Sequence, residues 1–258
     1  MIARIFHIAA NTFREAVRDR VLYNLVFFAI LMTGSAPLFS SISIGVERIV
    51  MINLGLTAIS LFGIVIAIFI GIGLVSKEID RKTLYTVLSR PVRRWEFILG
   101  KYLGLAGTLV VNTAFMTLGF YAALFYVTRA LTRLDLTLLA AIYFIVLELL
   151  IVTALAILFS SFSSPLLAAL FSFAMFVIGT FSDDIKAFAA MARGAAGWAA
   201  WLASYVFPNF SGLNIISLSA HAVPVSGITV LANTAYALTY TTAVLGVAIL
   251  IFERRNLQ

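Results

Sequence analysis

The sequence predicts an all-α membrane protein with six transmembrane helices, and three observations carry that expectation. The mean hydropathy of the 258 residues is +1.07. Charged residues make up 11% of the chain, less than half of the roughly one quarter usual in soluble domains. Several apolar runs also exceed the ~20 residues that cross a bilayer as a helix. A water-soluble domain is thereby excluded, and the absence of cysteine removes disulfides, thiolate metal sites and cysteine nucleophiles. The net charge of +7 sits beside apolar runs and forms no continuous basic face, which points to anionic headgroups and not to nucleic acid. No short apolar run ending in a small-residue cleavage site follows the first charges, so no cleavable signal is expected.

Residues 1–20 read as an amphipathic helix. Ile2, Ile5, Phe6, Ala9, Phe13, Ala16 and Val17 recur at helical spacing, with Arg4, His7, Asn11, Arg14, Glu15 and Arg18 opposite. Such a helix lies in the membrane interface; the alternative is a cytosolic helix packed on a partner. Six spans are expected at about 21–39, 49–75, 102–128, 136–159, 166–181 and 228–252. Pro165, after the turn "SSFSSP", suits the first turn of the fifth. Between the last two spans, residues 182–227 mix charge with Trp198, Trp201 and Tyr205, residues that favour headgroup level. With Pro208, Gly212 and Asn214 as interruptions, this outer segment is expected as short interfacial or re-entrant helices; a seventh span near 195–206 is the alternative. No internal repeat is visible, and one transmembrane domain, 1–258, accounts for the chain.

The distribution of Lys and Arg sets the expected orientation. With the N-terminus inside, the inner segments hold 13 of the 18 and the outer segments 5. Both termini and the 76–101 loop are therefore expected in the cytoplasm.

That loop, "SKEIDRKTLYTVLSRPVRRWEFILGK", reads as two helices around a proline. Ile79, Leu84, Val87 and Leu88 form one apolar stripe, and Pro91 opens a second helix carrying Val92, Trp95 and Leu99 opposite Arg93, Arg94 and Glu96. A basic loop retained by charge alone is the simpler explanation. Mixed charge with an aromatic anchor on paired amphipathic helices instead suits the docking of another protein.

The stretch "LVSKEIDRKTLYTVLSRPVRRWEFILGKYLG" resembles the loop between the second and third spans of type-2 ABC export permeases, the membrane subunits of drug, polysaccharide and copper-enzyme-maturation systems. Glu78, Thr83, Leu84, Ser89, Arg90, Pro91, Arg94, Trp95, Glu96, Gly100 and Lys101 match that pattern, while Lys82 stands where the family usually has Gly. "FPNFSGLNI" (207–215) and the terminal "FERRNL" are also similar, and the resemblance covers the full chain. It implies a homodimer, or a pair with a related permease, seated on separate ATPase subunits through Glu78, Arg81, Arg90, Pro91, Arg93, Arg94, Trp95 and Glu96. It implies export, an inner membrane location, and no cofactor bound by this chain, with ATP and Mg²⁺ held by the partner. The sequence agrees in lacking any G-x-x-x-x-G-K-[ST].

Glu148 falls inside the fourth apolar run, where a charge costs several kcal/mol and marks a functional hypothesis by default. It binds or relays something in a translocation path, is protonated, or pairs with a polar residue of another span. Asn53, Thr57 and Ser60 recur on one side of the second span, and Ser172 and Phe176 lie in the fifth. By the resemblance these two spans line a central path; ordinary small-polar helix packing is the alternative. Two histidines far apart make no metal site, and no Ser/His/Asp triad is recognisable, so catalysis is not expected. An autonomous ion-coupled transporter or channel using Glu148, or a non-transporting scaffold, is the competing function.

Overall fold

The computed structural model describes residues 2–18, 27–28, 31, 35, 47–80, 93–129, 133–192 and 194–254. Among the described residues every regular element is helical. In chain order these are α1 (Ile2–Ala16), α2 (Glu47–Asp80), α3 (Arg94–Thr128), a 3₁₀ turn (Arg133–Thr137), α4 (Leu138–Ser160), α5 (Pro165–Thr180), α6 (Ser182–Met191), α7 (Ala195–Val206), a 3₁₀ turn (Ser211–Leu213), α8 (Ile216–Ala220) and α9 (Gly227–Arg254).

The fold is an all-α membrane protein. Among the described residues four helices are long and apolar enough to cross a bilayer: Arg48–Gly73, Arg94–Thr128, Asp135–Ser160 and Gly227–Arg254. Helices α5 and α6 meet at a bend of 59° and make a fifth span if taken as one. The sequence suggests six; nearly all of the first, 21–39, lies outside the described residues.

Helix α4 is the centre of the bundle. It is apolar on every side, as a helix surrounded by other helices must be, and it packs on α2, α9, α5 and α3. Small residues let the backbones close up. A Cβ added to Gly63 would lie 2.8 Å from Leu149 of α4, and one on Gly71 would lie 2.8 Å from the Ala156 Cβ. Where hydrocarbon surrounds the bundle, this close packing replaces the hydrophobic drive as the main adhesive.

Helices α2 and α3 are longer than the membrane requires. At 1.5 Å per residue, the 35 residues of α3 extend about 52 Å, against ~30 Å of hydrocarbon. Its first turns are Arg94–Lys101, the stretch that sequence patterning assigns to a separate helix after Pro91. They are instead the start of one continuous helix. Likewise α2 runs on through Ser76–Asp80.

Helix α1 lies across the beginning of α3. Ile8 meets Gly100, and Ala9 and Thr12 meet Gly104, with Thr12 and Ala16 buried. Much of the apolar stripe read from the sequence therefore faces protein, while Phe6 remains 69% exposed. Lys101, 3% exposed, places its ammonium 4.0 Å from Glu15 of α1 and over the Phe97 ring. At the opposite end of the bundle Arg48 of α2 is bonded to Asp135, and the Tyr121 hydroxyl donates to the Asp135 carbonyl, joining α2, α3 and the entry to α4.

Candidate functional site

A cavity of about 160 Å³ opens between α2, α4, α5 and the segment after α7. Four residues singled out in the sequence meet there: Thr57 and Ser60 from α2, Glu148 from α4 and Phe176 from α5. The Ser60 hydroxyl donates to the Glu148 carboxyl at 3.0 Å. Helical spacing puts Thr57 and Ser60 on one face, and Gly63 just beyond lets that face approach α4. Glu148 is 9% exposed and, among the described residues, has no cationic partner. Two of the sequence candidates stand apart. Ser172 is fully buried with its hydroxyl donating to the Ala168 carbonyl, a bond within its own helix. The Asn53 amide donates to the Ile49 carbonyl in the same manner.

Apolar residues of α2 and α4 and Thr180 of α5 extend this lining, and the opposite wall comes from residues the sequence reading gave no role: Phe210, Leu213, Asn214 and Ile216. Phe210, Leu213 and Asn214 belong to "FPNFSGLNI" (207–215), which Ile216 follows, and whose Pro, Asn and Gly signalled irregular backbone without showing where it docks. The structure pins it firmly. The Asn209 side chain accepts bonds from the Ser182 hydroxyl at 2.6 Å and the Gly212 N–H at 3.0 Å. The Asn209 N–H donates to the Tyr236 hydroxyl of α9 at 2.7 Å, and the Phe210 N–H donates to the Gly179 carbonyl at 3.1 Å. At Gly179 a Cβ would stand 2.5 Å from the Phe210 ring and 2.6 Å from the Pro208 carbonyl, so only glycine allows the segment to lie this close. Phe210 is thus held with its ring centroid 5.6 Å from that of Phe176.

The far end of the bundle is equally specific. Arg94 donates to the carbonyls of Phe252 and Glu253 at 3.0 and 2.9 Å, occupying groups that the end of α9 leaves without intrahelical partners. Phe97 stacks on Phe252 with centroids 6.1 Å apart. Glu96 is 3% exposed, and its carboxylate accepts the Arg93 N–H at 3.1 Å, capping α3. Arg94 and Glu96 therefore have partners within the chain itself. Arg93 is exposed and Trp95 half-buried. Arg81, Arg90 and Pro91 lie outside the described residues, as does the side chain of Glu78.

The family model described as "ABC-2 family transporter protein" matches residues 6–257. This chain belongs to the ABC-2 transporter family. No curated protein matches it. As a member of that family it is a multi-pass membrane permease of an ABC transporter, a subunit that associates with an ABC ATPase.

Proposed function

We propose that the chain is the membrane half of an ATP-driven exporter, working as a homodimer in the inner membrane with both termini in the cytoplasm. It moves its substrate from the cytoplasm or inner leaflet outward. ATP and Mg²⁺ bind to the partner ATPase, since the chain has no phosphate-binding loop of its own. Family membership over 6–257 is the observation that carries this reading. The 13-to-5 bias of Lys and Arg supports the orientation.

The ATPase seats on residues 77–100. Glu78, Arg81, Arg90, Pro91, Arg93 and Trp95 make the contact, while Arg94 and Glu96 act behind it by tying the start of α3 to the end of α9 and by capping α3. Force delivered to this segment passes directly into α3 and α9, and through α4 to the cavity. The cavity group of Thr57, Ser60, Glu148 and Phe176 forms part of the translocation path.

Purification from native membranes in a mild detergent tests this reading. An ATP-binding subunit should accompany the chain in equal amount and be lost from the Arg81→Glu/Arg90→Glu double variant, with the bundle's thermal unfolding unchanged. Recovery of the chain without any nucleotide-binding subunit would overturn it.

A further inference from the structure

We infer that the cavity where Glu148 and Ser60 face Phe176 and Phe210 is a binding site for the ammonium headgroup of a cationic amphiphile, with Glu148 as its counter-ion. This deepens the export reading by naming a substrate class and rests on it.

The lining decides the sign of the ligand's charge. Among the described residues Glu148 is the one ionisable group in it, and the rest is apolar or carries neutral hydroxyl and amide groups. A carboxylate with a single hydroxyl partner at hydrocarbon depth is costly unless it takes up a proton or a cation joins it. An anionic headgroup would be repelled at the same place. A metal ion is poorly served, since hard cations need several oxygen ligands and no cluster of His, Asp or Glu stands together among the described residues. An ammonium group is well served. It gains a charge-assisted bond to Glu148 and lies beside the Phe176 and Phe210 rings that line the same cavity.

Size and position decide the remainder. A volume of about 160 Å³ falls below the ~300 Å³ at which drug-sized pockets begin. It takes a headgroup and not a whole molecule. The tail has a place outside. Leu61 lines the cavity and is also 50% exposed, and Val65 and Phe69 continue the exposed apolar face of α2 one and two turns on. An alkyl chain can therefore lie along α2 in the lipid while its nitrogen sits beside Glu148.

The test is equilibrium binding of radiolabelled decylamine to the full chain in dodecylmaltoside, a detergent without a cationic headgroup, with decanol and decanoate as competitors. The expected result is one saturable decylamine per chain that neither competitor displaces, and at least about tenfold weaker binding in Glu148→Gln. Equal competition by decanol would overturn the inference in the unmutated chain alone, as would unchanged affinity in Glu148→Gln. Phosphatidylethanolamine added in parallel separates two sources of the same chemistry. Displacement assigns the ammonium to a membrane lipid, and no displacement to a free amphiphile; both support the site. No ATP is needed, so the two proposals fail separately. Absent decylamine binding with the ATPase still co-purifying refutes the site alone, and binding with no ATPase refutes the exporter alone.

Discussion

Replacing Gly104 with alanine should loosen the contact of α1 with α3. The added Cβ would stand 2.6 Å from the Ala9 carbonyl oxygen and 2.6 Å from the Thr12 Cβ. One of these is a backbone atom and cannot rotate away. To reach the 3.4 Å at which ordinary contact begins, α1 must retreat by about 0.8 Å along its contact with α3. Overpacking of this kind costs about 1–3 kcal/mol, partly offset by the ~1 kcal/mol gain in helix propensity. The natural absence of cysteine makes the assay simple. Thr12 is 1% exposed and its hydroxyl has no hydrogen-bond partner, so Thr12→Cys removes no bond and reports opening of the α1–α3 contact. The net loss of about 0–2 kcal/mol raises the rate of maleimide labelling roughly 5-fold at its midpoint and up to about 30-fold at its upper end, if labelling follows the opening equilibrium. Gly246→Ala is the control, because a Cβ there meets nothing within 4 Å. Unchanged labelling in Gly104→Ala, or an equal rise in Gly246→Ala, would refute the reasoning.

Other consequences follow from the same contacts. Arg94→Ala removes both donors to the Phe252 and Glu253 carbonyls at a cost of about 1–2 kcal/mol; hydrogen exchange should rise in the last turn of α9 and stay unchanged at its start. Tyr236→Phe leaves the Asn209 N–H without its acceptor, a loss of about 1–3 kcal/mol, and exchange of that amide should accelerate. Gly179→Ala drives a Cβ into Phe210 and the Pro208 carbonyl, so it should lower the melting temperature and weaken decylamine binding together. Glu96→Gln keeps an acceptor for the Arg93 N–H but removes the charge favoured near a helix N-terminus; only a small stability change, below about 1 kcal/mol, is expected in thermal unfolding.

The long apolar helices were legible because their signal is local: twenty-odd uncharged residues admit few other conformations in a membrane. Glu148 was legible for the same reason, a single charge in an apolar run. Its partner was not, since Ser60 lies 88 positions away and nothing local distinguishes that serine from Ser172. The residues 207–216 could be read as irregular, but not as a wall of the cavity, because their docking depends on Gly179 and Tyr236. Arg94 and Glu96 show the limit from the other side. An amphipathic pattern reports which face is polar, and it cannot tell a partner subunit from the carbonyls of a distant helix end.

The measurement that reaches the central claim most directly follows the cavity through the ATPase cycle. Thr57→Cys places a single thiol at the lining, on an exposed position of α2. The complex of this variant with its ATPase should be labelled by a membrane-permeant maleimide under ATP-free, ATP-bound and vanadate-trapped conditions. A several-fold change in labelling rate between the ATP-free and trapped states is expected, because hydrolysis in the partner reshapes the cavity. Identical rates in all three states, with hydrolysis intact, would contradict it.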